Sequence, residues 1–308
     1  MTTGTSIAVV GSLNRDYVFT VDRLPGPGET RLGDTLTLSC GGKGANQAVA
    51  ASLLGAAHGI GVVMVGAVGR DPDGAALRAA LSDAGVNVET IVVRPGVPTG
   101  AALITVAGNG ENTIIVAPGA NASITADEVV LALARNNASI VLTQGELPVD
   151  VVAQTVRTAV AQGARAVLNL APVVPVDPSV LALCDPLVVN ESEAAELLGR
   201  TGVHDAASAA RELRRRARSV AVTAGAAGAY VAVDDRLVRV PAPRVRAVDT
   251  SGAGDAFTGA LAVALAAGLD VPAAAARACL AGAYAVTRTG AQLTPPLDIR
   301  LDVAHRAR

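Results

Sequence analysis

The second half of the chain alternates short β-branched or apolar runs with helical ones, and this alternation constrains the fold more than any other feature. From Ser139 onward the apolar runs are "SIVLTQ", "RAVLNLAP", "DPLVVN", "SVAVTAG" and "AYVAV", and residues 7–10 and 62–65 add two more. Such alternation is typical of βαβ units, in which helices cover both faces of a mostly parallel sheet. We therefore predict a single α/β domain, Rossmann-like in architecture, over residues 1–308.

Two segments break this rhythm, because residues 15–39 and 99–117 contain strand-like runs without helices between them. The second segment, "AALITVAGNGENTIIV", is predicted to form a hairpin with Asn109-Gly110 in its turn. Antiparallel strands inserted in a parallel α/β chain predict a small second sheet. The pattern alone does not decide between a lid over the ligand site and an ordinary edge hairpin.

The charge of the chain argues against a nucleic-acid partner. The formal net charge is -2 and the sequence pI is about 5.9, so no basic footprint for nucleic acid is present. We interpret the basic run at residues 211–218 as a solvated helix face.

Cysteine and histidine are too few and too scattered to suggest a metal centre or a disulfide framework. The three cysteines and three histidines are Cys40, Cys184, Cys279, His58, His204 and His305. No CxxC, HExxH or triad-like ordering is present, so we expect small core or pocket cysteines and no zinc or serine-protease-like site.

No membrane partner is expected. The first residues, "MTTGTSIAVVGSLN", lack a basic n-region and lead into a strand-like run, so no secretory signal is predicted. The most apolar stretch, residues 256–269, lies between Asp255 and Asp270 and is shorter than the ~20 residues that span a bilayer. We interpret it as a buried helix of a cytoplasmic protein.

The stretch "DTSGAGDAFTGAL", residues 249–261, places Asp255 after several glycines and before an apolar run. A helix beginning near Ala256 would leave the preceding backbone N–H groups free at the positive end of its dipole, which favours an anion and especially a phosphate. A carboxylate beside a phosphate suits a base that takes the proton of an attacking hydroxyl. Asp is also a favoured N-cap, and this stretch alone slightly favours the cap over the base.

A second glycine-rich stretch, "GGKGANQAVA", spans residues 41–50. It is not a Walker-type P-loop, because Lys43 is followed by Gly44 rather than by Ser or Thr, and no GxGxxG supports dinucleotide binding. The glycines allow close backbone approach, while Lys43 and Asn46 supply donors to a polar small molecule. A simple glycine-rich hinge before a helix is an equal alternative.

Polar residues follow two of the predicted strands at their carboxyl ends. Asn14 and Asp16 follow the first strand in "GSLNRD", and Glu146 follows another in "LTQGELP". Since the carboxyl ends of parallel strands converge on one crevice, we expect these side chains to share a site. Carboxylates accept hydroxyl donors, so the set suits a sugar. Each residue alone is more often a turn former, so the interpretation depends on their agreement.

Taken together, these stretches resemble the ribokinase-like (PfkB) family of sugar and nucleoside kinases. The matching motifs run in order through "GSLNRD", "PGPGET", "GGKGANQAVA", "GENTIIVAPGAN", "NLAP", "NESEA", "DTSGAGDAF" and "VTRTGAQ", and so cover nearly the whole chain. The resemblance implies a Rossmann-like sheet with a small β lid, a homodimer joined through that lid, and Asp255 as a base rather than only a cap.

The resemblance further implies ATP-dependent phosphorylation of D-ribose at its 5-hydroxyl, with Mg²⁺ and an activating K⁺. A kinase for another small sugar or nucleoside is the alternative, and a catalytically silent sugar-binding protein on the same fold is the candidate from a different class.

The site residues implied by the resemblance fall into four groups. The catalytic base would be Asp255, with an anion hole formed by the amides of Gly252, Ala253 and Gly254. The sugar would contact Asn14, Asp16, Gly42, Lys43, Asn46, Glu146 and Asp255. Mg²⁺ and the phosphates would be organised by Asn190 and Glu193, and the nucleotide would contact Thr223, Gly225, Gly228 and Gly254. K⁺ would be bound largely through backbone oxygens at Asp249, Ser251, Ala285, Arg288, Gly290 and Thr294.

Overall fold

The structure is a computed structural model that describes residues 6–200, 205–295 and 297. His204 and His305, two of the three scattered histidines, lie outside these residues. The strands are β1 (Ser6–Val10), β2 (Asn14–Val21), β3 (Thr35–Gly41), β4 (Gly61–Gly69), β5 (Ile91–Arg94), β6 (Gly100–Ala107), β7 (Asn112–Ala117), β8 (Ile140–Gln144), β9 (Arg165–Asn169), β10 (Leu187–Asn190), β11 (Ser219–Thr223), β12 (Ala229–Val233) and β13 (Arg236–Val240). The helices are α1 (Lys43–Gly55), α2 (Pro72–Asp83), α3 (Ala126–Asn136), α4 (Val149–Ala161), α5 (Pro178–Leu181), α6 (Glu191–Leu197), α7 (Ala206–Leu213), α8 (Ala253–Ala266) and α9 (Val271–Ala285).

The predicted parallel sheet is confirmed. A nine-stranded sheet has the order β13-β12-β11-β10-β9-β8-β1-β4-β5, and it is parallel from β11 to β5. The run "AYVAV" departs from the βαβ pattern, because β12 pairs antiparallel with β11 and then with β13. A three-residue 3₁₀ turn at residues 225–227, too short for a crossover helix, joins β11 to β12 and forces this reversal.

The helices form a layer on each face of the large sheet. The alternation of side chains along β1 shows the two faces directly, because Ile7 and Val9 pack with α1, α2, α8 and α9, while Ala8 and Val10 pack with α3, α4 and α7. The apolar stretch at residues 256–269 is mostly buried within α8, as the sequence predicted. Within the described ranges, no helix is long and apolar enough to span a membrane.

A second sheet of four strands, in the order β3-β2-β6-β7, is formed by the two segments that break the βαβ rhythm. Both predicted antiparallel pairings occur, between β2 and β3 and between β6 and β7. The two hairpins join through a parallel pairing of β2 with β6, which the sequence did not indicate. Asn14 opposes Gly41 on one side and Gly100 on the other, so this sheet begins at the carboxyl end of β1.

Only the first residue of the basic run at residues 211–218 lies on a helix face, since Arg211 is exposed on α7, and the rest of the run departs from the interpretation from sequence. Helix α7 ends at Leu213, and Arg214 to Arg218 form the turn that leads into β11. Its backbone is fixed, because the N–H of Ala217 donates to Leu213 O and that of Arg218 donates to Cys184 O.

Candidate active site

Glycines at the start of α1 bring this helix against the end of β1. Gly42, the N-cap, has φ 87°, and a Cβ on it would lie 2.9 Å from Asn14 N. A Cβ on Gly44 would lie 2.6 Å from Ser12 N. The stretch "GGKG" is therefore a tightly packed turn rather than a loose hinge, and it fixes the position of Lys43 at the first residue of α1.

Glu146, which follows β8, ties three segments together. Its Oε2 accepts a hydrogen bond from the Lys43 backbone N–H at 3.0 Å and another from the Ser12 hydroxyl at 2.5 Å. Ser12 Oγ in turn accepts from the N–H of Gly44 at 3.3 Å. The predicted meeting of strand ends at one crevice is therefore present in the structure.

Asn14 and Asp16 stand at the beginning of β2, beside Glu146. Asn14 is buried, and its Oδ1 accepts a hydrogen bond from Asn121 Nδ2 at 2.8 Å. Burial raises the pKa of Asp16 to about 6, an effect reinforced by the negative charge of Glu146 and opposed by Arg15. A carboxylate whose charge is poorly solvated by water is suited to accept hydrogen bonds from the hydroxyl groups of a ligand.

Asp255 lies in the first turn of α8, which begins at Ala253, three residues earlier than predicted. Gly252 is the N-cap, and the Asp255 carboxylate accepts instead from Asn46 Nδ2 at 3.0 Å and from Gln47 Nε2 at 2.9 Å. The cap alternative for Asp255 is therefore wrong.

Burial raises the pKa of Asp255, although Lys43 and the two amides act in the opposite direction. Burial also acts to lower the pKa of Lys43, but the negative charges of Asp255, Glu146 and Glu193 outweigh it and the pKa is raised. Lys43 is therefore a charged ammonium group within electrostatic reach of the acids on both sides of the crevice.

Close packing of α1 on α8 makes the contact between these polar groups. Gly259 of α8 faces α1 so closely that a Cβ on it would lie 2.7 Å from the Ala50 Cβ and 2.8 Å from Gln47 O. Both helices are rich in alanine and glycine, so their backbones approach without bulky side chains between them. As a result, the side-chain amides of Asn46 and Gln47 reach the carboxylate of Asp255, which lies one turn before Gly259 on α8.

The backbone before Asp255 has the form expected of an anion site. Gly252 has φ 69°, and a Cβ on it would lie 1.9 Å from Ala291 O, so only glycine fits there. A Cβ on Gly254 would meet nothing within 4 Å, so the space beside this residue is open. The first N–H groups of a helix have no intrahelical acceptor, and those of Ala253 and Gly254 belong to this set.

Asn190 and Glu193, which the family resemblance assigns to Mg²⁺ and the phosphates, begin α6 as a capping box. Asn190 Oδ1 accepts from the Glu193 N–H and Glu193 Oε2 accepts from the Asn190 N–H, both at 2.8 Å. Burial raises the pKa of Glu193, opposed by its bond to the Asn190 N–H and by the charge of Lys43. The residues that the resemblance assigns to the nucleotide include Thr223 at the end of β11, followed by Gly225 and Gly228 with positive φ.

Most of the residues assigned to a K⁺ site lie on two adjoining segments. Asp249 Oδ1 accepts from the Ser251 N–H at 2.8 Å and Oδ2 from the Gly290 N–H at 2.9 Å. Although burial acts to raise it, these two bonds hold the pKa of Asp249 below its usual value. Ala285 and Arg288 belong to the same segment as Gly290, since the Arg288 N–H donates to Ala285 O. Among the described residues, no hydrogen bond connects Thr294 to this group.

Sequence reasoning missed several side chains that hold the residues of the candidate site in position. The amide of Gln47 is held on both sides, because its Oε1 accepts from Gln144 Nε2 at 2.8 Å and its Nε2 also lies 2.9 Å from Asn169 Oδ1. Ser12 and Asn121 play the same part for Glu146 and Asn14. The signal available in the sequence was an amide side chain within an otherwise apolar element, such as Gln47 in α1 and Gln144 in β8. Both are fully buried in the structure, where a polar group requires hydrogen-bond partners. No cluster of three or more His, Cys, Asp or Glu suited to a metal occurs in the part of the chain that the structure describes.

The chain is similar to known kinases over almost its whole length. The sequence profile described as pfkB family carbohydrate kinase matches residues 4–298. A ribokinase of Schizosaccharomyces pombe is 34% identical over 307 residues, which is 96% of each chain. A deoxyribokinase of Salmonella typhi is 35% identical over 295 residues, covering 94% of this chain and 95% of the other. The solved structure of Arabidopsis thaliana ribokinase complexed with ribose and ATP matches with a TM-score of 0.83 and 30% identity, over 94% of both chains.

Proposed function

The chain belongs to the pfkB family of carbohydrate kinases, and we propose that it transfers the γ-phosphoryl group of ATP to the primary 5-hydroxyl of D-ribose. The products are ribose 5-phosphate and ADP. The observation that carries the proposal is the position of Asp255, whose buried carboxylate accepts from two side-chain amides and lies in the first turn of α8, where the backbone N–H groups have no acceptor within the helix.

Asp255 acts as the base in this mechanism. It accepts the proton of the 5-hydroxyl while the sugar oxygen forms a bond to the γ-phosphorus and the bond from that phosphorus to the β–γ bridging oxygen breaks. Asn46 and Gln47 hold the carboxylate in one orientation, so that little reorganisation is needed during transfer. The raised pKa of Asp255 also makes it a stronger base than a solvated aspartate.

Charge on the transferring group is offset by fixed donors. The N–H groups of Ala253 and Gly254 point from the positive end of α8, and the open space beside Gly254 admits a phosphate. Lys43 supplies a positive charge within reach of Asp255 and Glu193, between the sugar and nucleotide sides. Electrostatic stabilisation of this kind provides most of the acceleration in phosphoryl transfer.

The sugar is oriented by polar side chains on two segments. Asn14, Asp16 and Glu146 accept or donate to its hydroxyls, while Gly42 leaves room for close approach. Because a site built to hydrogen-bond a hydroxyl rejects an analogue that lacks it, these groups favour ribose over 2-deoxyribose. The likeness to a deoxyribokinase makes 2-deoxyribose the second candidate.

The residues present fit both metal ions that the family resemblance implies. Glu193 uses Oε2 for the cap, which leaves its other carboxylate oxygen as a hard donor of the kind that Mg²⁺ prefers. Glu193 and Asn190 would therefore hold Mg²⁺ near the phosphates of ATP, and the ion would help to neutralise their charge. The hydrogen bonds from Ser251 and Gly290 to the Asp249 carboxylate hold the two adjoining segments together, and backbone oxygens of these segments would bind K⁺, which would stabilise the neighbouring anion hole.

Assembly through the small sheet is part of the proposal. The sheet carries large apolar side chains that are 45–69% exposed, namely Leu36, Leu38, Leu103, Ile114, Ile115 and Val116. Apolar groups concentrated on one small element are typical of a protein interface. We expect sedimentation velocity to report a dimer, and a monomer at micromolar concentration would contradict this part.

The experiment that tests the function is ADP release with MgATP and KCl across ribose, 2-deoxyribose, fructose, tagatose and common nucleosides. Ribose is expected to give by far the highest kcat/KM. If another acceptor gives a higher kcat/KM than ribose, the assignment of ribose as the substrate fails, while the proposed transfer mechanism at Asp255 still stands. If no sugar or nucleoside stimulates ADP release, the proposal as a whole fails.

A further inference from the structure

A cavity of about 500 Å³ lies at the amino ends of β9, β10 and β11, at the edge of the large sheet opposite to Asp255. Its position follows from the chain, because Arg165 begins β9, Asp185 lies just before β10 and Arg218 directly precedes β11. The cavity is lined by Arg165, Ala182, Asp185, Arg214, Arg215, Arg216, Ala217, Arg218, Val233 and Asp234. None of these residues belongs to the candidate active site.

The cavity is strongly basic in a chain whose overall charge is slightly negative. Five arginines line it, against two aspartates. Both aspartates have partners of their own, since Asp185 pairs with Arg165 at 2.9 Å and accepts from the Ser219 hydroxyl, and Asp234 lies 3.9 Å from Arg236. Among the residues that the structure describes, the four arginines of the α7–β11 turn have no carboxylate within 4.0 Å.

Hydrogen bonds within the protein use few of the donors on these arginines. Arg214 Nη1 donates to Ala217 O at 3.0 Å and Arg216 Nη1 to Leu197 O at 2.8 Å, while Arg214 Nε is buried without an acceptor. Within the described ranges, the side chains of Arg215 and Arg218 make no hydrogen bond. Each guanidinium group has five N–H donors in a planar fork that matches the oxygens of a phosphate group.

The arrangement concentrates positive charge at one place and therefore favours an anion there. Like charges held in one cavity repel each other, and the fixed turn between α7 and β11 prevents the backbone from moving them apart. Carbonyl groups of the chain hold Arg214 and Arg216, whereas the exposed side chains of Arg215 and Arg218 have no hydrogen-bond or ion-pair partner among the described residues. The cavity volume is in the range of small-molecule sites and exceeds what a single phosphate ion fills.

We propose that this cavity is a second ligand site, which binds a small anion carrying more than one phosphate group or a phosphate group on an organic body. Arg215 and Arg218 bind the phosphate oxygens through charge-assisted, bidentate hydrogen bonds, and Arg214 and Arg216 add positive charge beside them. Strand β11 has five residues, so the cavity lies ~15–20 Å from the nucleotide loop at its other end, and both sites can be filled at once.

The test is isothermal titration of the purified protein with inorganic diphosphate at constant ionic strength and without divalent metal. The Arg215→Ala/Arg218→Ala variant removes the two exposed guanidinium groups, and Arg211→Ala/Arg239→Ala removes two exposed arginines outside the cavity as a matched control for charge. We expect saturable binding by the wild type, a loss of affinity of about tenfold or more in the cavity variant, and a change under about twofold in the control. The rate of ADP release with ribose should be the same in all three proteins.

A parallel titration with a sugar phosphate monoester distinguishes the two kinds of ligand. Tighter binding of the ester indicates a phosphate group on an organic body, and tighter binding of diphosphate indicates an anion with more than one phosphate group. Wild-type affinity in the cavity variant overturns the proposal, because any binding then occurs at the anion hole of α8. Equal losses of affinity in the cavity and control variants would show that binding depends only on the general charge of the protein, which also overturns the proposal. The absence of saturable binding of either ligand by the wild type overturns it as well. Far-UV circular dichroism checks that both double variants are folded.

Discussion

Replacement of Asp16 by asparagine should stabilise the free protein at pH 8 while weakening the binding of ribose. Burial raises the pKa of this carboxyl group from 3.8 to about 6, with Glu146 adding to the effect and Arg15 opposing it. The folded state therefore binds the proton more tightly than the unfolded chain does. The free energy of unfolding is highest below the unfolded-state pKa and falls as pH rises through 3.8 to about 6.

The size of the effect follows from this shift. Two pKa units correspond to a ceiling of about 3 kcal/mol at pH 8 and to about half of that at pH 5, where the folded-state carboxyl is still mostly protonated. Asp16 is only partly buried, so solvent screening reduces the gain from Asp16→Asn to about 1–2 kcal/mol at pH 8 and below about 1 kcal/mol at pH 5.

Urea unfolding followed by circular dichroism at pH 8 and pH 5 measures both values. Asp34→Asn is the matched control, because Asp34 is an exposed aspartate on the connection before β3 and should change the free energy of unfolding by less than about 0.5 kcal/mol. A gain from Asp16→Asn that is the same at both pH values would refute the reasoning, since it could not come from ionisation. So would a loss of stability at pH 8.

Five further changes test the site. Asp255→Asn should lower kcat by about 10²-fold or more while ADP affinity, measured by calorimetry, is kept, and near wild-type turnover would remove the base assignment. Gly254→Ala should fold, because its Cβ meets nothing within 4 Å, yet lower kcat about tenfold or more by occupying the approach of the phosphate; normal kcat would place the anion elsewhere. Gly252→Ala should instead lower Tm, since its Cβ would lie 1.9 Å from Ala291 O, and an unchanged Tm would contradict that packing. Gln47→Leu removes a donor that lowers the pKa of Asp255, so the acidic limb of kcat/KM against pH should move to higher pH, and an unmoved limb would deny Gln47 its positioning role. Exchange of K⁺ for tetramethylammonium should lower kcat, and an equal rate in both salts would argue against the cation site.

The central strands could be predicted from the sequence because a parallel strand buried on both faces is a short continuous apolar run. The runs around β8, β9, β10 and β11 were therefore located to within three residues. Strand direction is not encoded in such a run, so the reversal at β12 was missed. The parallel pairing of β2 with β6 was missed for a similar reason, because it joins segments far apart in the chain.

The candidate site was predicted from motifs, whereas the residues that support it were not. A motif shows that Asp255 follows glycines, but its hydrogen bond with Gln47 joins residues 208 positions apart. That contact depends on the close approach of α1 to α8 at Gly259, which no local pattern indicates. The basic run was misinterpreted because the sequence does not show that α7 ends at Leu213 and leaves the next arginines on a turn.

The pairing of Asn14 with Gly41 means that residues 14–41 leave the main sheet and return to it at adjacent points. A segment whose two ends meet can be lengthened, shortened or replaced during evolution without disturbing the strands from which it departs. This segment carries Asn14 and Asp16, while Asp255 and the anion hole belong to α8 on the other side of the crevice. In the proposed mechanism, two of the side chains that would contact the sugar and the groups that would carry out the transfer therefore lie on different segments of the chain, so substitutions at Asn14 or Asp16 would change the preference for the sugar without altering α8.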